Sequence, residues 1–180
     1  MIGGRFAAIS KIVEHRVVYI GMKRFFFISL LTFIYSFYSY SQTAIPVLNQ
    51  EIVEYVTSVI GKKVDRGECW DLANEALTKA NAKWNGNYKY GKPLNPMKDT
   101  IYPGDLIQFE NVLLKYKKDG RQYTEQMAHH TAIVYQVNAK GVYLIAHQNT
   151  GQHGRKVGIS DLNLTDITKG KATFYRPESN

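Results

Sequence analysis

The chain of 180 residues has one cysteine, Cys69, and that scarcity excludes an internal disulfide and with it a disulfide-framed scaffold. Its five prolines and 14 glycines gather into no low-complexity tract, no internal repeat is visible, and 44% hydrophobic content excludes a disordered chain. Acidic residues are few, 15 against 23 Lys and Arg, and the resulting +8 is the one compositional feature that points toward nucleic acid. A membrane-length hydrophobic run is also missing. The apolar stretch Phe25 to Tyr38 spans 14 residues, too few to cross a hydrocarbon core of about 30 Å. No cysteine follows it to carry a lipid anchor.

What that stretch does have is the order of a secretory signal. Met22-Lys23-Arg24 supply a positive start, the apolar run follows, and Ser39 and Ser41 are the small residues ahead of a cleavage site before Gln42. The expected organisation is an upstream extension over 1–21, a signal peptide over 22–41 and a single domain over 42–180. Without residues 1–41 the chain has 139 residues, 18 basic and 14 acidic, and a net charge of +4. The nucleic-acid argument weakens accordingly, and the remaining cluster of Lys115, Lys117, Lys118 and Arg121 reads as a solvated hairpin edge. The expectation is a secreted or periplasmic monomer with no stable membrane anchor and no nucleic-acid partner.

In the expected domain, helical patterns come first. Asn49 is placed to cap a helix running to Ile60, with Ile52, Val56, Val59 and Ile60 on one face and Gly61 as its stop. A second helix presents Leu72, Ala73, Ala76 and Leu77 and fades at Asn81. Strand patterns follow over Asp105–Phe109, Val112–Lys117, Arg121–Met127, His130–Val137, Val142–Asn149 and Ala172–Arg176, with Asp119-Gly120 as a hairpin turn. Helices followed by antiparallel strands predict an α+β domain.

Gly67 breaks the chain just before the second helical pattern, so Cys69 falls in its first turn. Free backbone N–H groups and the helix dipole there favour a thiolate and offer donors to an oxyanion. His130 opens an apolar strand. A turn centred on Ala139-Lys140 sets it opposite Asn149, about 4.5–5.5 Å away at Cβ, with His147 the diagonal neighbour at roughly 7–8 Å. An amide oxygen beside an imidazole fixes the tautomer that a general base needs. A cysteine at a helix start, a histidine on a strand and a polar orienter on the next strand are the parts of a thiol hydrolase. The register favours Asn149 as orienter and leaves His147 as the alternative. His129 points to the opposite side and belongs at a rim. The spacing of His129, His130, His147 and His153 fits no ordinary zinc motif, so neither metal nor cofactor is expected.

Three stretches carry a resemblance. Gly67-Glu68-Cys69-Trp70, Pro103-Gly104-Asp105-Leu106-Ile107-Gln108-Phe109 and His130-Thr131-Ala132-Ile133-Val134, followed by His147-Gln148-Asn149, resemble in content and order the nucleophile, sheet-opening and histidine motifs of the CHAP and NlpC-type papain-like cysteine amidohydrolases and peptidases. The resemblance implies a papain-like fold with N-terminal helices on an antiparallel sheet. It also implies amide hydrolysis, in peptidoglycan or a peptide, by Cys69, His130 and Asn149 or His147, with Trp70 and Asp65 beside the nucleophile as substrate contacts. Two departures stand out: no Gln precedes Cys69 as an oxyanion donor, and residues 112–127 look like an inserted hairpin. The alternatives are a catalytically silent wall-binding or partner-binding module, with Trp70, Trp84, Tyr88 and Tyr90 as stacking surfaces, or a secreted effector acting on a protein.

Overall fold

The computed structural model describes residues 44–180, so the expected upstream extension and signal peptide lie outside the described residues. Helix α1, Val47–Val59, buries Ile52 and Val56. Pro46 occupies its N-cap and accepts the N–H of Gln50 at 3.0 Å. Asn49 is therefore not the cap. It sits in the first turn, fully buried, and its amide donates to the Pro103 carbonyl and to Asp105 Oδ1, both at 2.9 Å. Ile60 lies beyond the helix and is 39% exposed, because the chain turns at Gly61 to donate to the Val157 carbonyl.

Helix α2, Cys69–Lys79, buries Leu72, Ala73, Ala76 and Leu77, as its periodicity requires. A capping box closes its start: Glu68 takes the Asp71 N–H, and the Asp71 carboxylate takes the Glu68 N–H. Both helices pack with Leu106, Ile133, Ala146 and Tyr90 into one apolar cluster. Among the described residues, no helix is long and apolar enough to cross a membrane.

Six antiparallel strands make the sheet: β1 Lys92–Leu94, β2 Leu106–Lys118, β3 Arg121–Ala139, β4 Val142–His147, β5 Gly158–Asn163 and β6 Ile167–Arg176, in the order β1-β6-β2-β3-β4-β5. Ile107, Phe109, Ala132, Val134, Ile145 and Phe174 form a second apolar cluster. Two helices packed on this sheet give the α+β class that the pattern predicts.

Four of the expected strands are two. Asp105–Phe109 and Val112–Lys117 merge into β2, and Arg121–Met127 and His130–Val137 merge into β3. The hydrophobic pattern breaks at Glu110-Asn111 and Ala128-His129, but the backbone ladder keeps one register from Leu106↔Ile133 to Lys118↔Arg121. Asn111 absorbs the break with a left-handed φ of 51°. The inserted hairpin is thus an outward extension of the two central strands. Asp119 and Gly120 turn it with φ of 50° and 75°, the handedness a two-residue hairpin needs. β1 is three residues long and contains a proline, and β5 alternates polar and apolar residues only loosely; neither has a legible strand signal.

The Pro-Gly-Asp turn is a structural knot. Asp105 is fully buried and accepts from Asn49, from the Tyr102 N–H at 2.9 Å, and from Arg176 through Nε at 3.0 Å and Nη2 at 2.8 Å. A Cβ on Gly104, at φ 86°, would lie 2.4 Å from the Asn49 carbonyl oxygen, so only glycine lets α1 approach.

Candidate active site

The loop before α2 is held from behind. Gly67 takes φ 89°, and a Cβ there would meet Cβ of Arg155 at 2.7 Å. The Gln148 side chain accepts the Val64 N–H at 3.2 Å and donates to the carbonyls of Val64 at 3.0 Å and Glu68 at 2.7 Å. Arg155 donates to the Arg66 carbonyl at 3.0 Å and pairs with Glu68 at 3.2 Å. Cys69 emerges from this clamp as the first residue of α2, half-buried.

Backbone N–H groups of Thr131, Trp70 and Cys69 face the sulfur and favour its anion, but burial outweighs them and pushes the thiol above its ordinary value. The activated thiolate expected from the helix start is therefore not the resting state. Thr131 is fixed from its other end, where its hydroxyl meets Tyr90 Oη at 2.9 Å and donates to Gln108 Oε1 at 2.8 Å.

His130 is 7% exposed, on β3, and its Nε2 lies 3.1 Å from Nδ1 of His147. His147 continues through Nε2 to Ser160 Oγ at 2.9 Å, and Ser160 Oγ lies 3.1 Å from Nε2 of His153. When His130 donates from Nε2, His147 donates to Ser160 and Ser160 to His153, which leaves His130 Nδ1 as a free acceptor. That polarity is the one a general base requires. Desolvation lowers His130 to about 4 and His147 to about 3, so both rings are neutral at pH 7.

Asn149 does not meet His130. The pairs Ile133↔Ala146 and Val134↔Ile145 keep the register that projects His130 opposite Asn149, but β4 ends at His147. Gln148 pulls the chain to the cysteine loop, and Asn149 takes φ 61° and donates to Glu68 Oε2 at 2.6 Å. The diagonal neighbour, His147, reaches His130 instead. The ladder also shifts between Val134 and Gln136 and between Val137 and Ala139, so the turn closes on Lys140-Gly141.

A cavity of about 1100 Å³ gathers Cys69, Trp70, His130, His147, Asn149 and Ser160, and the arm of β3 forms one wall. Trp70 packs against Trp84 with ring centres 5.5 Å apart and planes tilted by 46°. Asp65 does not line the cavity; it is exposed at φ 47° beside Arg66, and Arg66 lines the cavity in its place. His129 lies at the rim, 3.3 Å from Glu110 and edge-on to Tyr88. Among the described residues, no three His, Cys, Asp or Glu side chains converge as a metal-binding group. Ser160 and Gln148 are the residues that sequence reasoning missed. Ser160 lies on the strand with no clear pattern, and Gln148 could be noticed only as the neighbour of His147.

The sequence model of the AIM3/BBC1 cysteine proteinase-fold domain matches residues 44–180. The chain belongs to the AIM3/BBC1 cysteine proteinase-fold family. It is similar to altered inheritance of mitochondria protein 3 of Debaryomyces hansenii, 30% identical over 146 residues, which cover 69% of this chain and 16% of that protein. The chain thus spans a small part of the curated relative it matches. No solved structure matches. The AIM3/BBC1 assignment overturns the expectation of a peptidoglycan amidase: the matched family is described as a cysteine proteinase-fold domain, and the relative is named for the inheritance of mitochondria. What this AIM3/BBC1 domain shares with the CHAP and NlpC-type enzymes is the papain-like cysteine-proteinase fold.

The buried imidazoles make the domain acid-sensitive. Both folded values lie below the ordinary 6.5, so between that value and about 3 to 4 the unfolded chain binds more protons than the folded one. The stability from keeping these rings neutral is fully present above 6.5 and is lost as pH falls through about 4 and then 3. Thermal midpoints measured from pH 7 to pH 4 should fall steeply, and His147→Asn should flatten the slope. An equal slope in both proteins rejects this account.

Proposed function

We propose that the domain is a cysteine-dependent hydrolase acting on a carbonyl group of a polypeptide. Cys69 is the nucleophile, His130 the base and then the acid, and His147 the group that orients His130. The observation that carries this reading is the 3.1 Å contact between His130 Nε2 and His147 Nδ1 on the wall of the cavity that also holds Cys69. With Nε2 engaged, Nδ1 is the ring nitrogen left to take a proton.

In the first half of the reaction, the thiol proton passes to His130 as the carbon–sulfur bond forms, and then to the leaving nitrogen as the carbon–nitrogen bond breaks. In the second half, water attacks the thioester and gives its proton to His130. The sulfur leaves and recovers that proton. The Cys69 N–H at the start of α2 is a ready donor to the oxyanion. His130 rests neutral and able to accept, but its lowered basicity and the raised thiol make the first proton transfer uphill, so substrate binding must supply part of its driving force.

A second reading, a polypeptide-binding domain without turnover, is favoured by the raised thiol. A peptidyl vinyl sulfone separates the two. The hydrolase reading expects a covalent adduct on Cys69, seen by mass spectrometry, that forms at least tenfold more slowly in His130→Ala. No adduct, or equal rates in the two proteins, rejects it.

A further inference from the structure

β3 has unequal neighbours. β2 accompanies it from Arg121 to Ile133, whereas β4 pairs with it only from Ile133 to Ala139. Among the described residues, the stretch from Arg121 to Ala132 has no strand on its second side.

The direction of its backbone groups follows from one anchored residue. Val134 donates to the Asp105 carbonyl at 2.8 Å and accepts from the Gly104 N–H at 2.7 Å, so its groups face β2. Alternate residues of an antiparallel strand face opposite edges, and the register is unbroken to the hairpin tip. Tyr123, Glu125, Met127, His129 and Thr131 therefore turn their N–H and C=O groups to the open edge. The Thr131 N–H bears this out, since it faces the Cys69 sulfur. The row of outward groups along the arm ends on the thiol.

Exposed strand edges are ordinarily guarded by lysines, prolines or bulges. On the other side of the hairpin, β2 leaves its partner β6 after Leu114, and that free edge carries Lys115, Lys117 and Lys118. From Tyr123 to His129 the β3 edge carries no lysine, proline or glycine and has no register shift, and its one acidic residue, Glu125, is engaged by Tyr116 Oη on β2. Residues 125–129 of this unguarded stretch line the cavity.

We propose that the open edge of β3 from Tyr123 to Thr131 is a docking site for an extended polypeptide, which adds as a strand antiparallel to β3, in line with β4, and is led by backbone hydrogen bonds to Cys69. Antiparallel addition continues the pattern of the whole sheet and is the stronger pairing. The occupant is a polypeptide because the site offers a row of main-chain donors and acceptors at strand spacing, with the cavity beside it for side chains. A second copy of this chain pairing arm to arm would satisfy the same edge and is the competing occupant that sedimentation distinguishes. The delivery of a carbonyl to Cys69 rests on the hydrolase reading; the docking does not.

The test uses the full chain carrying Cys69→Ala and random 12-residue peptides displayed on phage. Selected peptides, resynthesised with single N-methyl groups along their length, should lose binding at least tenfold at alternate positions and be little changed at those between. Met127→Pro removes one outward N–H and no bond to β2, and should weaken the same peptides at least tenfold with a thermal midpoint near the parent's. The N-methyl scan decides the matter even if that variant fails to fold. No enriched peptide, or binding without the alternation, overturns the proposal, as does a dimer in sedimentation that the selected peptides do not dissociate. Wild-type protein that binds these peptides without cleaving them refutes the hydrolase reading alone; cleavage of peptides that show no alternation refutes the docking alone.

Discussion

Asp105→Ala is expected to cost about 3–5 kcal/mol of unfolding free energy, the range for removing one partner of a buried ion pair. The carboxylate is fully buried and joins three parts of the chain: Asn49 of α1, Tyr102 before the turn, and Arg176 at the end of β6. Its loss leaves the guanidinium, 23% exposed, with the Thr100 carbonyl as its remaining acceptor, and leaves the Tyr102 N–H without its acceptor. Asp105→Asn keeps the shape and part of the hydrogen bonding and should cost less. The double variant Asp105→Ala/Arg176→Ala should fall well short of additivity, because the second change removes the uncompensated charge. Urea titration of the full chain measures all of these. A cost under about 1 kcal/mol for Asp105→Ala, below the usual range for a buried pair, would show that the knot does not hold the fold.

The second large effect concerns the orienting residue. His147→Ala should slow adduct formation at Cys69 by a peptidyl vinyl sulfone by about 100-fold, at the low end of what positioned acid–base groups contribute. Without His147 the His130 ring loses its hydrogen bond at Nε2, and nothing then fixes which ring nitrogen carries the proton. His147→Asn restores an acceptor and should recover part of the rate. Asn149→Ala, which disturbs Glu68 rather than His130, should cost less than about tenfold. If Asn149→Ala proves slower than His147→Ala, the orienting roles are reversed.

These contrasts mark what a single sequence can reveal. The buried face of α2, the Asp119-Gly120 turn and the order of the cysteine and histidine motifs were legible because each depends on neighbours three to four residues away or on local backbone preference. Asn49 misled for the opposite reason. An asparagine at a helix start looks like a cap, yet its amide serves Asp105, 56 positions away. His147 and Asn149 were both visible as candidates, and the register at their end of the ladder was sound. The choice between them turned on where β4 ends, which Gln148 decides through contacts to Val64 and Glu68. The resting thiol was misjudged because helix-start activation is local, whereas the burial that outweighs it comes from packing around the cavity.

The Gln148 clamp also couples the two halves of the site. His147 precedes it directly, and the loop it grips carries Cys69, so one side chain ties Cys69 and His147 across some 80 positions of sequence. Neither can loosen alone. Local opening of either loop breaks the same three hydrogen bonds, so Cys69 and His147 belong to one cooperative unit of unfolding. A force on the 148–155 loop, from a partner or from a neighbouring part of a longer protein, would be transmitted to the sulfur.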